Sequence, residues 1–138
     1  MTRASGTFVA MATLDEAIAI AAALPESVEA TSYGNRNWSV RGKGFAWVRP
    51  LSKADVKRFG SELPPDGPIF ALTTEDLGDK EAILAAGTPG IFTIQHFTNY
   101  PAVLVQLNVI SMDALREAIT DAWLACAPPS LVEQFLAE

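Results

Sequence analysis

Short β-prone segments separated by glycine-containing turns constrain the fold of this chain more than any other feature of its sequence. Two such turns, Gly34-Asn35 and Gly42-Lys43-Gly44, separate three segments at residues 28–33, 38–40 and 45–48. A few residues containing Gly between two β-prone runs are typical of a β-hairpin. We therefore predict that this region is a meander of antiparallel strands.

Helices are predicted near both ends of the chain. Thr13 and Glu16 form a capping-box pair, after which apolar residues recur at helical spacing until Pro25. Ser111 can cap a longer helix that ends before Pro128-Pro129. The apolar stripe of this longer helix consists of Leu115, Ala118, Ile119, Ala122, Trp123 and Cys126. We expect these side chains, the Cys126 thiol included, to pack in the core.

The remaining segments alternate between short helices and strands. Helices are predicted from Ser52 to about Phe59, over residues 79–86 and from Ser130, and strands over residues 69–72 and 102–107. This order of elements predicts an α+β sandwich with a mostly antiparallel sheet. No repeat, low-complexity tract or long linker divides the 138 residues, so we predict one domain over residues 1–138.

The composition argues against several classes of protein. With 49% apolar residues the chain can form a core without metals, and its single cysteine rules out an internal disulfide and a CxxC metal pair. Its longest apolar run is far shorter than the ~18 residues of a membrane span. The first residues, MTRASGTFVAMATLDE, lack the sustained apolar region of a signal peptide. We therefore predict a cytoplasmic protein without a membrane partner.

The net charge of −6 conceals an asymmetry between two parts of the chain. Residues 1–60 contain eight Lys and Arg against five Asp and Glu, a net charge of +3, whereas residues 61–138 contain two against eleven, a net charge of −9. Within residues 36–58, seven basic residues stand against Asp55 alone. Long-range attraction to a polyanion is weak for such a protein, so only this local patch could bind one.

The segment YGNRNWSVRGKGFAWVRP, residues 33–50, combines positive charge with two tryptophans. Cations that hold phosphate beside aromatic rings that stack on bases make up a nucleic-acid platform. The candidate nucleic-acid or anion contacts are Arg36, Trp38, Arg41, Lys43, Trp47, Arg49, Lys53, Lys57 and Arg58. The alternative is an ordinary hairpin in which Phe45 and Trp47 share one face with Trp38, so that the aromatic rings are core and the charges are merely solvated.

No catalytic residue, cofactor or metal site is predicted. The sequence has no Walker loop, no GxGxxG after a strand, no HExxH and no GxSxG. His96, the only histidine, is a candidate binding residue, although no HxxE-like neighbour accompanies it. Asp113, Glu117 and Asp121 follow one helix face, which suits solvated side chains better than the converging oxygen ligands of a metal. We therefore predict a non-enzymatic domain, while an active site without a known motif stays open.

Four segments together resemble the MmcQ/YjbR family of small bacterial proteins: ALPESVEATSYG, WSVRGKGFAWV, GTPGIFTIQHFTNYPAVLVQL and LREAITDAWLACAP. The resemblance implies a frataxin-like fold, with N- and C-terminal helices packed on one face of an antiparallel sheet. It also implies DNA binding, because family members are commonly labelled DNA-binding from a proposed double-wing motif. Relatives often place a basic residue and a Trp before the strong strand at residues 102–107. This chain has Asn99 and Tyr100 there, so Tyr100 is a further candidate without positive charge.

Two functions follow as predictions. The first is weak, non-specific binding of DNA or another anion by the basic hairpin and helix of residues 36–58. The second is a protein-interaction or small-ligand domain without a nucleic-acid role. Such a domain could be homodimeric, because the +3 part of one molecule could meet the −9 part of another.

Overall fold

A computed structural model describes residues 12–138, whose strands form a single antiparallel sheet. The elements in chain order are α1 (Leu14–Ala23), β1 (Ser27–Ser32), β2 (Asn35–Val40), β3 (Lys43–Val48), α2 (Lys53–Arg58), β4 (Ile69–Thr73), α3 (Leu77–Ala85), β5 (Ile91–Phe92), a 3₁₀ turn (Gln95–Phe97), β6 (Ala102–Gln106), α4 (Met112–Cys126) and α5 (Pro129–Ala137). The six strands lie in the order β1-β2-β3-β4-β6-β5. The N-terminal segment that bears on a signal peptide lies mostly outside the described residues.

Most helices begin close to the predicted positions, where capping side chains bond to the first backbone amides. The Glu16 amide donates to Thr13 Oγ1 at 3.2 Å, and the Thr13 amide donates to Glu16 Oε1 at 3.0 Å, which completes the predicted capping box. Ser111 accepts from the Ala114 amide at the start of α4. Helices α3 and α5 start earlier than predicted, because Asp76 caps α3 and the fixed φ of proline suits the first turn of α5.

Both hairpins of the meander close through two-residue turns with left-handed backbone. Tyr33 and Gly34 have φ of 52° and 80°, and Arg41 and Gly42 have φ of 50° and 84°. Positive φ at both central residues defines a type I′ turn, whose twist matches that of the flanking strands. Each turn therefore starts one residue earlier than the sequence pattern suggested, and Asn35 and Lys43 are already part of β2 and β3.

The two faces of the sheet are covered differently. On the face that we call the helix face, side chains of α1, α4 and α5 pack on β2, β3, β4 and β6 in one large apolar cluster. On the opposite face, the groove face, a smaller cluster joins β4 and β6 to the 3₁₀ turn and to Leu51 and Phe59 beside α2. This arrangement confirms the predicted α+β fold, with the terminal helices packed on one face of the sheet. Within residues 12–138, no helix has the length and apolar character needed to cross a membrane.

Candidate ligand-binding groove

A β-bulge in the second hairpin sends its two tryptophans to opposite faces of the sheet. Trp38 is opposite Ala46, but Ser39 is opposite Gly44, so Phe45 is an extra residue without a cross-strand partner. Phe45 and Ala46 consequently both join the core on the helix face, together with Trp38. Trp47 then lies on the groove face, packed against the smaller apolar cluster. The prediction that Phe45 and Trp47 share one face is therefore wrong, because strict alternation fails at the bulge.

The groove face carries an open groove of about 930 Å³. Its floor includes Asn37, Trp47 and Thr73 of the sheet, and one side is formed by the tip of the β1–β2 hairpin. The other side is formed by α2 with the segment before it, and by the loop around the 3₁₀ turn. Lining residues that bear aromatic, charged or amide groups are Tyr33, Asn35, Asn37, Trp47, Arg49, Asp55, Arg58, His96 and Tyr100. Clefts of this size that combine apolar and polar groups are typical of small-molecule sites.

An aromatic cluster forms the wall at the 3₁₀ turn. The rings of Trp47 and Tyr100 meet edge to face with centroids 6.5 Å apart, and Phe97 lies 5.3 Å from Tyr100 and 6.5 Å from Trp47. Phe97 is buried, whereas Tyr100 is 49% exposed. Packing from below fixes the exposed rings, so they can receive a planar ligand with little loss of side-chain entropy.

Two arginines share one buried carboxylate at the cationic end of the groove. Arg49 Nη1 lies 3.0 Å and Arg58 Nη1 lies 3.5 Å from the carboxylate oxygens of Asp55. Burial alone would raise the pKa of Asp55, but hydrogen bonds from Ser52 and the Arg49 charge lower it overall. The guanidinium of Arg49 also stands 5.5 Å from the centre of the Phe97 ring. Asp55 neutralises one of the two positive charges, so the pair keeps a net charge of +1.

A buried lysine holds the aromatic wall in place. Lys80 Nζ of α3 donates to the Phe97 carbonyl at 2.6 Å and to the Tyr100 carbonyl at 2.7 Å. Burial lowers the pKa of Lys80, because an ammonium loses hydration there. These two hydrogen bonds tie both ends of the loop between Phe97 and Tyr100 to α3. Sequence reasoning missed this role, since nothing in the local pattern relates Lys80 to residues seventeen and twenty positions away.

The structure separates the predicted nucleic-acid contacts other than Trp38, together with the two further candidates His96 and Tyr100, into three groups. Trp47, Arg49, Arg58, His96 and Tyr100 line the groove. Arg36 and Arg41 instead form bidentate ion pairs across the first hairpin with Glu29 and Glu26, and their guanidinium groups lower the pKa of those carboxylates. Lys43, Lys53 and Lys57 are exposed and form no ion pair with another residue of 12–138.

The burial of Trp38 shows that its predicted role as a base-stacking residue is wrong. Its side chain has no exposed area, and its ring packs against Phe70 at 5.5 Å in the core. A ring without exposed surface is closed to a base, so for this residue the alternative of a core aromatic is right. The core positions predicted for Trp123 and Cys126 are confirmed, at 0% and 5% exposure. Burial raises the pKa of the Cys126 thiol, which keeps it protonated.

Other groove residues were overlooked because their signal is weak in sequence. Asn35, Asn37 and Thr73 line the floor and one side of the groove, yet polar residues on strands are ordinarily solvated. The capping box of Ser52 and Asp55 was detectable, since it has the same spacing as that of Thr13 and Glu16. Among residues 12–138, no three His, Cys, Asp or Glu side chains converge as ligands of a metal ion.

Comparison with known proteins agrees with the resemblance found in the sequence. The YjbR family matches residues 22–125. The uncharacterized protein Rv2570 of Mycobacterium tuberculosis is 45% identical over 131 residues, which cover 92% of this chain and 98% of that protein. The uncharacterized protein Mb2600 of Mycobacterium bovis has the same identity and coverage. No solved structure matches the chain significantly. The chain therefore belongs to the YjbR family.

Proposed function

We propose that this domain binds a ligand composed of a planar aromatic ring and one anionic group, as in a nucleotide, in the groove over Trp47. One observation carries the proposal: the exposed part of an aromatic wall lies in the same groove as an arginine pair with a net charge of +1. The ring would stack on Trp47 and Tyr100, and the anion would contact Arg58 and Arg49. The activity proposed is binding and not catalysis.

The polar floor of the groove supports a small and specific ligand. Asn35, Asn37 and Thr73 offer amide and hydroxyl groups beside the aromatic wall. A few well-positioned hydrogen-bonding groups in an otherwise apolar cleft orient a ligand and select for matching donors and acceptors on its edge. His96 adds an imidazole to the groove lining.

Duplex DNA fits this arrangement less well than a free nucleotide or a single strand. A wing that grips duplex phosphates needs several unpaired cations at its tip, but Arg41 at the β2–β3 turn is paired with Glu26, which leaves Lys43 as the one unpaired cation there among residues 12–138. Bases of a duplex are also stacked within it and inaccessible to Trp47. A single strand presents the same ring and phosphate as a mononucleotide, so both are included in the test.

The test compares Arg58 with its neighbour Lys57. Adenosine monophosphate and a short oligothymidylate are titrated at low salt against the parent, Arg58→Ala and Lys57→Ala, with tryptophan fluorescence as the signal. Both variants lose one exposed positive charge of α2, but only Arg58 lines the groove. We expect Arg58→Ala to weaken binding by about tenfold, or ~1.4 kcal/mol. Lys57→Ala should change it only by the small amount due to overall charge.

Two further outcomes decide between the groove and the hairpin tip. If an Arg41→Glu, Lys43→Glu double variant loses binding while the Arg58→Ala variant binds as the parent does, the anion lies at the β2–β3 turn and the proposal is contradicted. Absence of binding by both ligands at low salt would also contradict it. If the oligonucleotide binds more tightly than the mononucleotide and Arg58→Ala weakens both equally, single strands are the preferred ligand. Self-association stays a separate prediction, which size exclusion at low and high salt can test.

A further inference from the structure

A second cavity lies on the helix face, on the other side of the sheet from the groove. It has a volume of about 280 Å³ and lies between α3, α4 and the strands β4 and β6. Apolar side chains line most of it, among them Leu72, Val103, Ile83 and Ala118. Because the lining residues of the two sites differ except for Thr73, this cavity is a separate candidate site.

The cavity exists because neither neighbouring helix supplies a side chain to fill it. The residues that α4 turns toward it on its apolar side are alanines, namely Ala114, Ala118 and Ala122. Lys80 is the buried residue of α3, and its ammonium is hydrogen-bonded to the loop beside the groove. Ile83 of α3 is half-buried at the cavity wall. Apolar walls without a filling side chain lose dispersion contacts that a bound apolar group can restore.

Three solvent-exposed carboxylates line the cavity on its solvent side. Asp79 of α3 and Glu117 and Asp121 of α4 are among its lining residues, and those lining residues include no Lys, Arg or His. Burial raises the pKa of Asp121, and the charges of Glu117 and Asp79 raise it further. The negative charges therefore repel one another, and a cation among them would relieve this repulsion.

We propose that this cavity binds a small organic ammonium ion, with the apolar body between α3 and α4 and the ammonium group among Asp79, Glu117 and Asp121. The size is suitable, since an apolar cavity of ~150 Å³ holds benzene and this one is larger. An ammonium with an apolar body matches both features, whereas a neutral apolar molecule leaves the carboxylates uncompensated. A metal ion is disfavoured because these carboxylates do not converge as ligands within residues 12–138.

The first measurement compares a pair of compounds that differ in charge but hardly in shape. 2-Phenylethylamine and 2-phenylethanol are titrated against the full chain by calorimetry, and amide resonances are followed by NMR to locate the site. We expect the amine to bind at least about tenfold more tightly than the alcohol, or ~1.4 kcal/mol. The shifted resonances should belong to α3, α4 and β6. Equal affinities, or no binding by the amine, would overturn the proposal.

Matched variants assign the two parts of the site. Asp121→Asn should weaken binding of the amine and leave binding of the alcohol unchanged. Asp113→Asn, on the same helix but outside the cavity lining, should affect the binding of neither compound. Ala118→Leu should block both compounds by filling the space between the helices. If that variant fails to fold, Ala118→Val serves instead and should weaken both. Equal losses with Asp113→Asn and Asp121→Asn would show only general attraction and overturn the assignment.

Two controls distinguish this cavity from the groove and from a metal site. Arg58→Ala, which alters the groove, should bind the amine as the parent does, so a failure of the nucleotide proposal leaves this test intact. Calcium chloride at matched ionic strength should not displace the amine. Displacement specific to calcium would indicate a metal site at the carboxylates and would overturn the proposal.

Discussion

The two faces of the sheet place the same residue type in different environments, and the two tryptophans of the second hairpin show this most clearly. On the helix face, Trp38 has no exposed area and packs in the large apolar cluster, with the Arg36 guanidinium 5.6 Å from the centre of its ring. On the groove face, Trp47 from the neighbouring strand is half-buried beside Arg49 and Tyr100. Trp38 is wholly buried, whereas Trp47 leaves part of its ring exposed in the groove.

The cause of this difference is a single extra residue in β3. Without the bulge at Phe45, alternation would place Phe45 and Trp47 on one face. With it, Phe45 and Ala46 both enter the core and Trp47 changes face. A bulge beside a binding surface is a recurrent way to direct one side chain, and here it makes a tryptophan available to the groove.

The largest effect is expected on the helix face. Trp123→Ala should reduce the free energy of unfolding by about 3–5 kcal/mol, because it empties a large core position. The Trp123 ring is fully buried, packs 5.0 Å from Phe135, and donates from Nε1 to the Pro25 carbonyl at 3.0 Å. Urea denaturation monitored by circular dichroism gives the value. Leu136→Ala, at a position 66% exposed, is the control and should change little.

A smaller effect is expected at the carboxylate beneath the groove. Asp55→Asn should cost about 1–3 kcal/mol at pH 7, because the charged groups around it lose their partner. The pKa of Asp55 is lowered in the fold, so its stabilisation is complete above its unfolded pKa and is lost as pH falls through its folded pKa. The stability gap between parent and variant should therefore shrink in acid below about pH 4. Denaturation at several pH values measures this, and a constant gap would contradict the assignment.

Trp47→Ala sharpens the comparison between the two faces. Because the ring is only half-buried, we expect a loss of roughly 1–2 kcal/mol in stability, less than for a core tryptophan. Binding of adenosine monophosphate should nevertheless fall below detection, since the stacking surface is removed. A loss of stability as large as that of Trp123→Ala would mean that Trp47 is a core residue and that the groove face is not specialised for a ligand.

The smallest effect is expected at the tip of the hairpin. Arg41→Ala should leave the thermal midpoint essentially unchanged, because exposed ion pairs contribute little. Arg41 and Glu26 are both about half-exposed, with side-chain exposures of 54% and 46%. Thermal unfolding followed by circular dichroism tests this. A clear drop would show that the pair holds β1 against β2, and the matched variant Glu26→Ala should then give the same drop.

Much of the fold follows from local patterns that are readable along the chain. The capping boxes, the glycine turns and the apolar stripe of α4 act over a few residues, so their spacing in sequence equals their spacing in structure. The antiparallel order follows because a two-residue turn can join strands only as a hairpin. Trp123 and Cys126 were assigned to the core for the same reason.

The candidate sites depend on contacts between distant parts of the chain, which only the tertiary structure decides. The bulge at Phe45 is invisible in a pattern of alternating residues, yet it determines the face of Trp47. Lys80 reaches the carbonyls of Phe97 and Tyr100, and Asp79 lines the same cavity as Glu117 and Asp121, across turns whose geometry no local rule supplies. The sequence by itself thus determined the helices and the longer strands, although not β5 or the 3₁₀ turn, and it determined which residues are apolar enough to be buried. Packing decided which polar and aromatic groups share a cavity, because a cavity is the space left after distant elements have made their contacts.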